Sequence, residues 1–289
     1  MLKMIDVSCD TKNNIEAIKE AGVTHVGRYY NHQNSRALPT KCLTKEEALV
    51  LSSSGLKIVV VFQKAQNTIS CFNASEGKTA AQQALKRASD IGQPIGSAIY
   101  FAIDFDASKQ EIECEIKEYF TSVNEILEGK YKVGAYGSGL ACNLLYEAGL
   151  CCYRWISESI KFLGTSDAIK NQAYEIWQLT QSNAENVYSV RSNKIGTLEV
   201  DYDKLKDELS VGEFHVSSPS DKTSLYVVNV TSGSHLNLRK SPSISSSVIG
   251  KLYAGQTVDV ESTANNWAYI KMKDGLEGYA SAEYLKPKY

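Results

Sequence analysis

The chain has no excess charge of either sign. Its 31 Lys and Arg residues stand against 33 Asp and Glu, a net charge of −2 over 289 residues. Splitting at Gly212 leaves 23 basic against 26 acidic residues before it and 8 against 7 after it. No global field draws such a chain to nucleic acid or anionic lipid, so neither is expected as a partner. A long apolar run is missing, which excludes a transmembrane helix. The four histidines (His25, His32, His215, His235) show no metal spacing. No Gly-x-Gly-x-x-Gly follows a strand-like segment, which argues against a dinucleotide site. Neither metal nor cofactor is expected. No Cys-x-x-C occurs, and the seven cysteines (Cys9, Cys42, Cys71, Cys114, Cys142, Cys151, Cys152) are odd in number. They read as buried free thiols made in a reducing compartment rather than as a disulfide framework. Met1-Leu2-Lys3-Met4-Ile5-Asp6-Val7 runs straight into a strand pattern, without the charged and apolar leader of a signal peptide. The expectation is synthesis in the cytoplasm, with a leader already removed or an exit route that reads none.

What is present is ordinary globular composition, 43% hydrophobic and 22% charged, at a length that affords one large domain and a small one. The first ~210 residues alternate strand-like and helix-like periodicities. Strands are expected at Lys3–Val7, His25–Tyr30, Lys57–Gln63, Ala98–Asp106, Lys132–Gly137, Tyr153–Ser157, Tyr174–Leu179 and Thr197–Asp201. Helices are expected at Asn13–Ala21, Thr44–Ser54, Lys78–Ile91, Lys109–Leu127, Gly139–Ala148 and Asp203–Leu209, those after strands six and seven being short or irregular. Thr44-Lys45-Glu46-Glu47 reads as a capping box, and Gly22 and Gly55 as C-terminal caps. Eight strands separated mostly by helices predict an α/β fold, a (β/α)₈ TIM-type barrel over 1–210, with a doubly wound open sheet as the runner-up. Residues 211–223, polar with Gly, Ser and Pro, read as a linker. From 224 to 289, short strands at close spacing, with turns at Ser232-Gly233, Asn265-Asn266 and Asp274-Gly275, predict a small all-β barrel.

The run Ile99-Tyr100-Phe101-Ala102-Ile103-Asp104-Phe105-Asp106 carries the chemistry. Alternation puts Asp104 and Asp106 on one face and Phe101, Ile103 and Phe105 on the other. Barrel sites lie at the C-terminal ends of strands. Asp6 nears the end of strand one and Asp201 ends strand eight, with Asp203 two residues on. Neighbouring strands one and eight set Asp6 beside Asp201, and strand four faces them across the mouth. Acids on both sides of a cleft are how glycosidases flank a scissile bond, one carboxyl protonated and one ionised. Like-charge repulsion and desolvation supply that difference. Arg28, Tyr29, Gln63, Tyr136, Trp155, Trp177 and Gln178 also fall at strand ends, where aromatic faces stack on sugar rings and polar tips bind hydroxyls. Two other readings carry less: a divalent cation on Asp104 and Asp106, and a thiol nucleophile from Cys9 with His32. Glu111, Glu113, Glu115 and Glu118 read as a solvated outer helix face.

At Met4-Ile5-Asp6-Val7-Ser8, Val26-Gly27-Arg28-Tyr29-Tyr30, Ile99–Asp106, Val133-Gly134-Ala135-Tyr136-Gly137, Trp177-Gln178 and Val200-Asp201-Tyr202-Asp203 the chain resembles a glycoside-hydrolase-like barrel family. That family was once classed as a domain of unknown function and is related to the family 25 lysozymes. The resemblance implies a carbohydrate substrate, with the peptidoglycan of a cell wall as the expected one. In those lysozymes strand four ends in Asp-x-Glu, whose Glu is the catalytic acid. The matching position here is Asp106, one methylene shorter, while Asp6, Asp104 and Asp201 match the remaining carboxylates.

The C-terminal part resembles bacterial SH3 (SH3b) domains at Leu236-Asn237-Leu238-Arg239-Lys240-Ser241-Pro242-Ser243, Val248–Leu252, Trp267–Lys271 and Gly278–Ser281. That resemblance implies cell-wall binding, with Tyr226, Trp267, Tyr279 and Tyr284 lining a groove. In a barrel this small, the alternative is that Trp267 and Tyr269 form the core. The expected function is a peptidoglycan hydrolase with Asp106 as general acid, tethered by the second domain. The alternatives are a glycan-binding protein without turnover and a hydrolase of another glycan. A missing leader fits a lysin released by a holin or an effector passed through a secretion machine.

Overall fold

The computed structural model describes residues 3–31, 33–206, 210–217, 224–264, 266–272 and 275–288. The chain divides into two compact units, Met1–Val216 and Ser217–Tyr289.

In the first unit β1 (Lys3–Asp6), α1 (Ile15–Glu20), β2 (His25–Tyr30), α2 (Lys45–Ser53), β3 (Lys57–Phe62), α3 (Ala74–Ile91) and β4 (Ala98–Ala102) alternate. There follow α4 (Lys109–Glu111), a π-helical stretch (Ile112–Ile116) and α5 (Lys117–Leu127), then β5 (Lys132–Gly137), α6 (Gly139–Glu147), β6 (Tyr153–Ile156), α7 (Thr165–Lys170), β7 (Ile176–Leu179) and α8 (Gln181–Tyr188). A two-stranded hairpin, β8 (Lys194–Ile195) and β9 (Leu198–Glu199), precedes β10 (Asp201–Leu205). The strands close into an eight-stranded barrel in the order β1-β10-β7-β6-β5-β4-β3-β2, the expected TIM-type fold.

Its last strand corrects the expectation in detail. β10 runs antiparallel to both neighbours, β1 and β7. The segment Thr197–Asp201 is not the eighth barrel strand, and Asp203, Lys204 and Leu205 are strand rather than helix; Leu209 lies outside the described residues. The reason lies in the connection after α8, which returns the chain to the mouth instead of leaving it at the floor. The chain then makes the β8–β9 hairpin and enters the sheet from the mouth, so Asp201 starts β10 opposite Asp6, the last residue of β1.

Alternation sorts the barrel into two layers. Inward-facing Met4, Val59, Val61, Ala98, Tyr100, Ala102, Trp155, Ile176 and Leu205 fill the interior. Outward-facing Ile5, Val26, Ile58, Val60, Phe62, Ile99, Phe101 and Ile103 pack against the helices, with Phe105 at their edge. Glycine makes room where the interior is tightest. A Cβ on Gly27 would meet Asp6 Cβ at 2.7 Å, and one on Gly134 would meet the Tyr100 ring at 2.4 Å. Gly22 and Gly55 take positive φ at helix ends, as expected. Glu113, Glu115 and Glu118 are exposed. All seven cysteines are free thiols; Cys42, Cys142 and Cys151 are buried, whereas Cys114 and Cys152 are exposed, so burial does not account for those two.

Residues 211–216, read as the start of a linker, instead close the barrel floor. Val211 joins the interior cluster, Tyr100 Oη donates to Val211 O at 2.9 Å, and Phe214 bridges Ile58. Near this floor His25 is buried, and desolvation lowers its pKa to about 4, reinforced by Lys57 and His215 and opposed by Glu213. From its ordinary 6.5 down to about 4, the unfolded chain therefore binds the proton that the folded chain refuses. This contribution to stability is complete above about pH 6.5 and falls by about 3 kcal/mol as pH drops towards 4. Urea unfolding of the wild type beside His25→Gln checks this: the variant loses that part of the pH slope. Superimposable slopes contradict it.

The second unit is a seven-stranded sheet in the order β13-β12-β16-β15-β14-β11-β17. Its strands are β11 (Ser224–Val228), β12 (His235–Arg239), β13 (Val248–Tyr253), β14 (Thr257–Ala264), β15 (Trp267–Lys271), β16 (Glu277–Ser281) and β17 (Leu285–Pro287). The expected all-β domain is present, with β17 in addition; Asn265 and Asp274 of the expected turns lie outside the described residues. Val228, Leu236, Leu238, Leu252, Val258, Val260, Ala268, Ile270, Ala280 and Leu285 form its core. No described helix in either unit is long and apolar enough to cross a membrane.

Candidate active site

The C-terminal ends of the parallel strands surround an open cleft of about 400 Å³. Each inward row supplies its top residue: Asp6 from β1, Tyr29 from β2, Val61 and then Gln63 from β3, Ala102 and then Asp104 from β4, Tyr136 from β5, Trp155 and then Ser157 from β6, Gln178 from β7 and Asp201 from β10. Antiparallel pairing sets Asp201 directly beside Asp6. Asp104 lines the same cleft from the opposite side of the strand order.

A hydrogen-bonded floor holds Asp6. Tyr29 Oη donates to its Oδ1 at 2.8 Å and Gln178 Nε2 to its Oδ2 at 2.9 Å. Tyr136 Oη donates to Gln178 Oε1 at 2.8 Å, fixing which way that amide points. Beneath, Trp155 Nε1 donates to Asp203 Oδ1 at 2.7 Å. On the opposite wall Lys41 Nζ donates to Gln63 Oε1 at 2.9 Å, and Gln63 Nε2 donates to Asp104 Oδ2 at 2.9 Å. The Lys41 ammonium also lies 4.4 Å from the centre of the Tyr29 ring.

These surroundings favour neutral carboxyls. Burial raises Asp6 to about 7, aided by the charge of Asp201 and opposed by hydrogen bonds from Tyr29, Gln178 and Asp203. Desolvation raises Asp201. Asp104 is raised by desolvation within the cleft, with Lys41 and Gln63 pulling the other way. Glu158 is raised by desolvation and by Asp201. A cleft of this kind can hold one carboxyl protonated while another stays ionised near neutrality.

Three expected site residues stand elsewhere. Arg28 is fully buried on the outward face of β2. It bonds Glu47 through Nε at 2.8 Å and Nη2 at 3.1 Å, Val7 O at 2.5 Å, Lys41 O at 3.1 Å and Thr40 O at 3.0 Å. With five donors so used, Arg28 presents none to a ligand. Thr44 caps α2 through the Glu47 N–H, but the Glu47 side chain turns to Arg28, so the expected capping box is half formed. Trp177 faces the helix layer between inward Ile176 and Gln178, and its buried Nε1 has no partner among the described residues.

Asp106 does not share Asp104's surroundings. Regular β4 stops at Ala102. Ile103 N–H still bonds Tyr136 O, but Asp104 N–H turns to Gln66 O, and strict alternation ends there. The exposed Asp106 carboxylate accepts from Leu163 N–H at 2.7 Å and is not among the residues that line the cleft. Of the expected set, the cleft therefore brings together Asp6, Asp104 and Asp201 with Tyr29, Gln63, Tyr136, Trp155 and Gln178. It adds Lys41, Ser157, Glu158, Ser159 and Phe162. The position just past strand six was a signal for Ser157 and Glu158; nothing in the irregular loop around Lys41 marked it. Ser157 Oγ is buried in the wall with no partner among the described residues. His32, which the thiol-nucleophile reading pairs with Cys9, lies outside the described residues.

In the second unit Ala268 and Ile270 are core, so Trp267 and Tyr269 lie on the opposite face, half-buried. Tyr269 pairs with Tyr279 across the strands, ring centroids 5.0 Å apart, and Tyr279 pairs with Arg239. Tyr284 is exposed, whereas Tyr226 packs partly against the core.

Fold and cleft together define a β/α-barrel protein with a carboxylate-lined site at the C-terminal mouth. The chain belongs to the Rv2525c-like, glycoside hydrolase-like family, whose model matches residues 16–205, and it carries a bacterial SH3 domain over 234–286. It is 30% identical over 210 residues to FadG, an uncharacterized protein of Bacillus subtilis (strain 168), covering 68% of this chain and 34% of FadG. YbfG, likewise uncharacterized and from the same organism, is 33% identical over 165 residues, 52% of this chain and 22% of that protein. The chain thus spans about a third or less of either relative's length. Among solved structures, the Tat-secreted protein Rv2525c of Mycobacterium tuberculosis, in complex with L-tartrate, aligns with a TM-score of 0.61 at 21% identity, covering 73% of this chain and 98% of that one.

Proposed function

We propose that the barrel is a glycoside hydrolase of lysozyme or muramidase type acting on cell-wall peptidoglycan, and that the SH3 domain tethers it to the wall. The observation that carries this reading is the placement of Asp104 opposite the Asp6–Asp201 pair across an open, tyrosine-walled cleft. In this reading Asp104 is the general acid. Desolvation helps it retain a proton, and the Lys41–Gln63 relay aims its carboxyl. Asp201 or Asp6 supplies the negative charge that orients water or the sugar's N-acetyl group. Tyr29, Tyr136 and Phe162 offer ring faces to the sugar. Asp106 acts at the rim, tying down the segment that carries Phe162 through the Leu163 N–H. The wall is the place of action, reached by a holin or a secretion machine; the Tat-secreted Rv2525c is a family precedent for export.

The test is release of reducing ends from purified peptidoglycan, with products identified by mass. Release of muropeptides with new reducing ends supports the reading. One observation favours a second reading, a glycan-binding protein without turnover: Asp106, at the position of the lysozymes' acid, stands off the cleft. Saturable binding without product on any wall type decides for it.

In the SH3 domain, Trp267→Ala is expected to weaken sedimentation of the full chain with cell walls at least tenfold. Because Trp267 lies off the core, domain stability should change by less than about 1 kcal/mol. Unchanged sedimentation removes Trp267 from the wall-binding face.

A further inference from the structure

Asp203 lies one inward step below Asp201 on β10 and is completely buried. Its Oδ1 accepts from Trp155 Nε1 at 2.7 Å. Its Oδ2 receives no hydrogen from any N–H or O–H group among the described residues. What it does face is Asp6: the antiparallel pairing of β1 with β10, Asp6 opposite Asp201 and Met4 opposite Asp203, sets both carboxyls in the barrel interior, where each bears on the other's protonation. Both Asp6 oxygens already accept, from Tyr29 and from Gln178. A hydrogen bond between two carboxyls needs a proton on one of them. Asp6 has the donors that stabilise an anion, whereas Asp203 Oδ2 has none.

We propose that Asp203 is held as a neutral carboxylic acid that donates its proton to Asp6, so that the two buried groups never carry more than one negative charge between them. Of the groups around Asp203, the Trp155 N–H alone favours the anion, through its hydrogen bond to Oδ1, and burial beside two aspartates outweighs it. Asp6 on β1 and Asp201 on β10 are the like charges nearby. Tyr29 on β2 and Tyr136 on β5 are held neutral by burial, and Trp155 on β6 is an uncharged donor. Burial and the two aspartates push the Asp203 carboxyl well above the usual range. Asp203 is thus a positioning residue: it gives Asp6 a third donor and removes one charge from beneath the cleft. The inference concerns the floor alone and stands whether or not the cleft cleaves a glycan.

The test is the net charge of the full chain by capillary electrophoresis at about pH 8. Asp203→Asn, which keeps an acceptor for Trp155 and a donor for Asp6, is expected to leave mobility unchanged. Asp167→Asn, at an exposed aspartate, is expected to shift it by one charge. Equal shifts for the two variants overturn the proposal. A second measurement needs no variant: carboxyl-carbon NMR of aspartate-labelled wild type should show one resonance held at the protonated position from about pH 5 to 8. Its absence overturns the proposal equally. Neither measurement uses substrate, so loss of the glycosidase reading and loss of this one are separable.

Discussion

Replacing Asp104 with Asn is expected to lower reducing-end release from peptidoglycan by about 10²–10⁴-fold, the usual contribution of a general acid. The amide keeps the shape and still bonds Gln63, but it has no proton of suitable acidity for the leaving oxygen. Glycan binding should survive, so KM should change far less than kcat. Asp106→Asn separates the structural assignment from the one based on resemblance. With its carboxylate bound to Leu163 N–H outside the cleft lining, it should lose less than tenfold. A loss at Asp106 that matches or exceeds that at Asp104 reverses the assignment.

The second large effect is on stability. Arg28→Ala is expected to destabilise the barrel by about 3–5 kcal/mol, because it strands the carboxylate of Glu47, itself fully buried. Glu47 would keep only the Thr11 N–H and Oγ1 and its apolar surroundings. Glu47→Ala should cost about as much, by stranding the guanidinium. A paired apolar replacement, Arg28→Met with Glu47→Leu, should recover much of the loss, since a buried ion pair adds little over well-packed apolar groups. Urea unfolding of the three variants checks this. A single variant within about 1 kcal/mol of wild type contradicts it. Arg28 reaches function only through the backbone: its bonds to Thr40 O and Lys41 O set the loop from which Lys41 enters the cleft.

The SH3 domain shows the same division between pattern and placement. Alternation along Trp267-Ala268-Tyr269-Ile270 marks two faces without saying which is core. Small Ala268 and Ala280 oppose each other across β15 and β16, so it is that face that closes on Leu238 and Leu252 and leaves the rings outside.

Local sequence by itself determined the barrel's first seven strands and most of its helices, the two-unit division in outline, and the inward acids at the end of β1 and just past β4. Periods of two and 3.6, helix caps and turn residues are short-range properties, and they persist in any context. Tertiary structure alone decided the direction of β10, the loss of Asp106 from the cleft, the outward burial of Arg28 and Trp177, and the meeting of Asp6 with Asp203. Each depends on partners distant in the chain: Asp203 is 48 residues from Trp155, and Asp6 is 172 from Gln178. A residue's charge is written in the sequence, but its desolvation and its hydrogen-bond donors are supplied by other strands. Those decide whether a carboxyl is an acid, an anion or a strut.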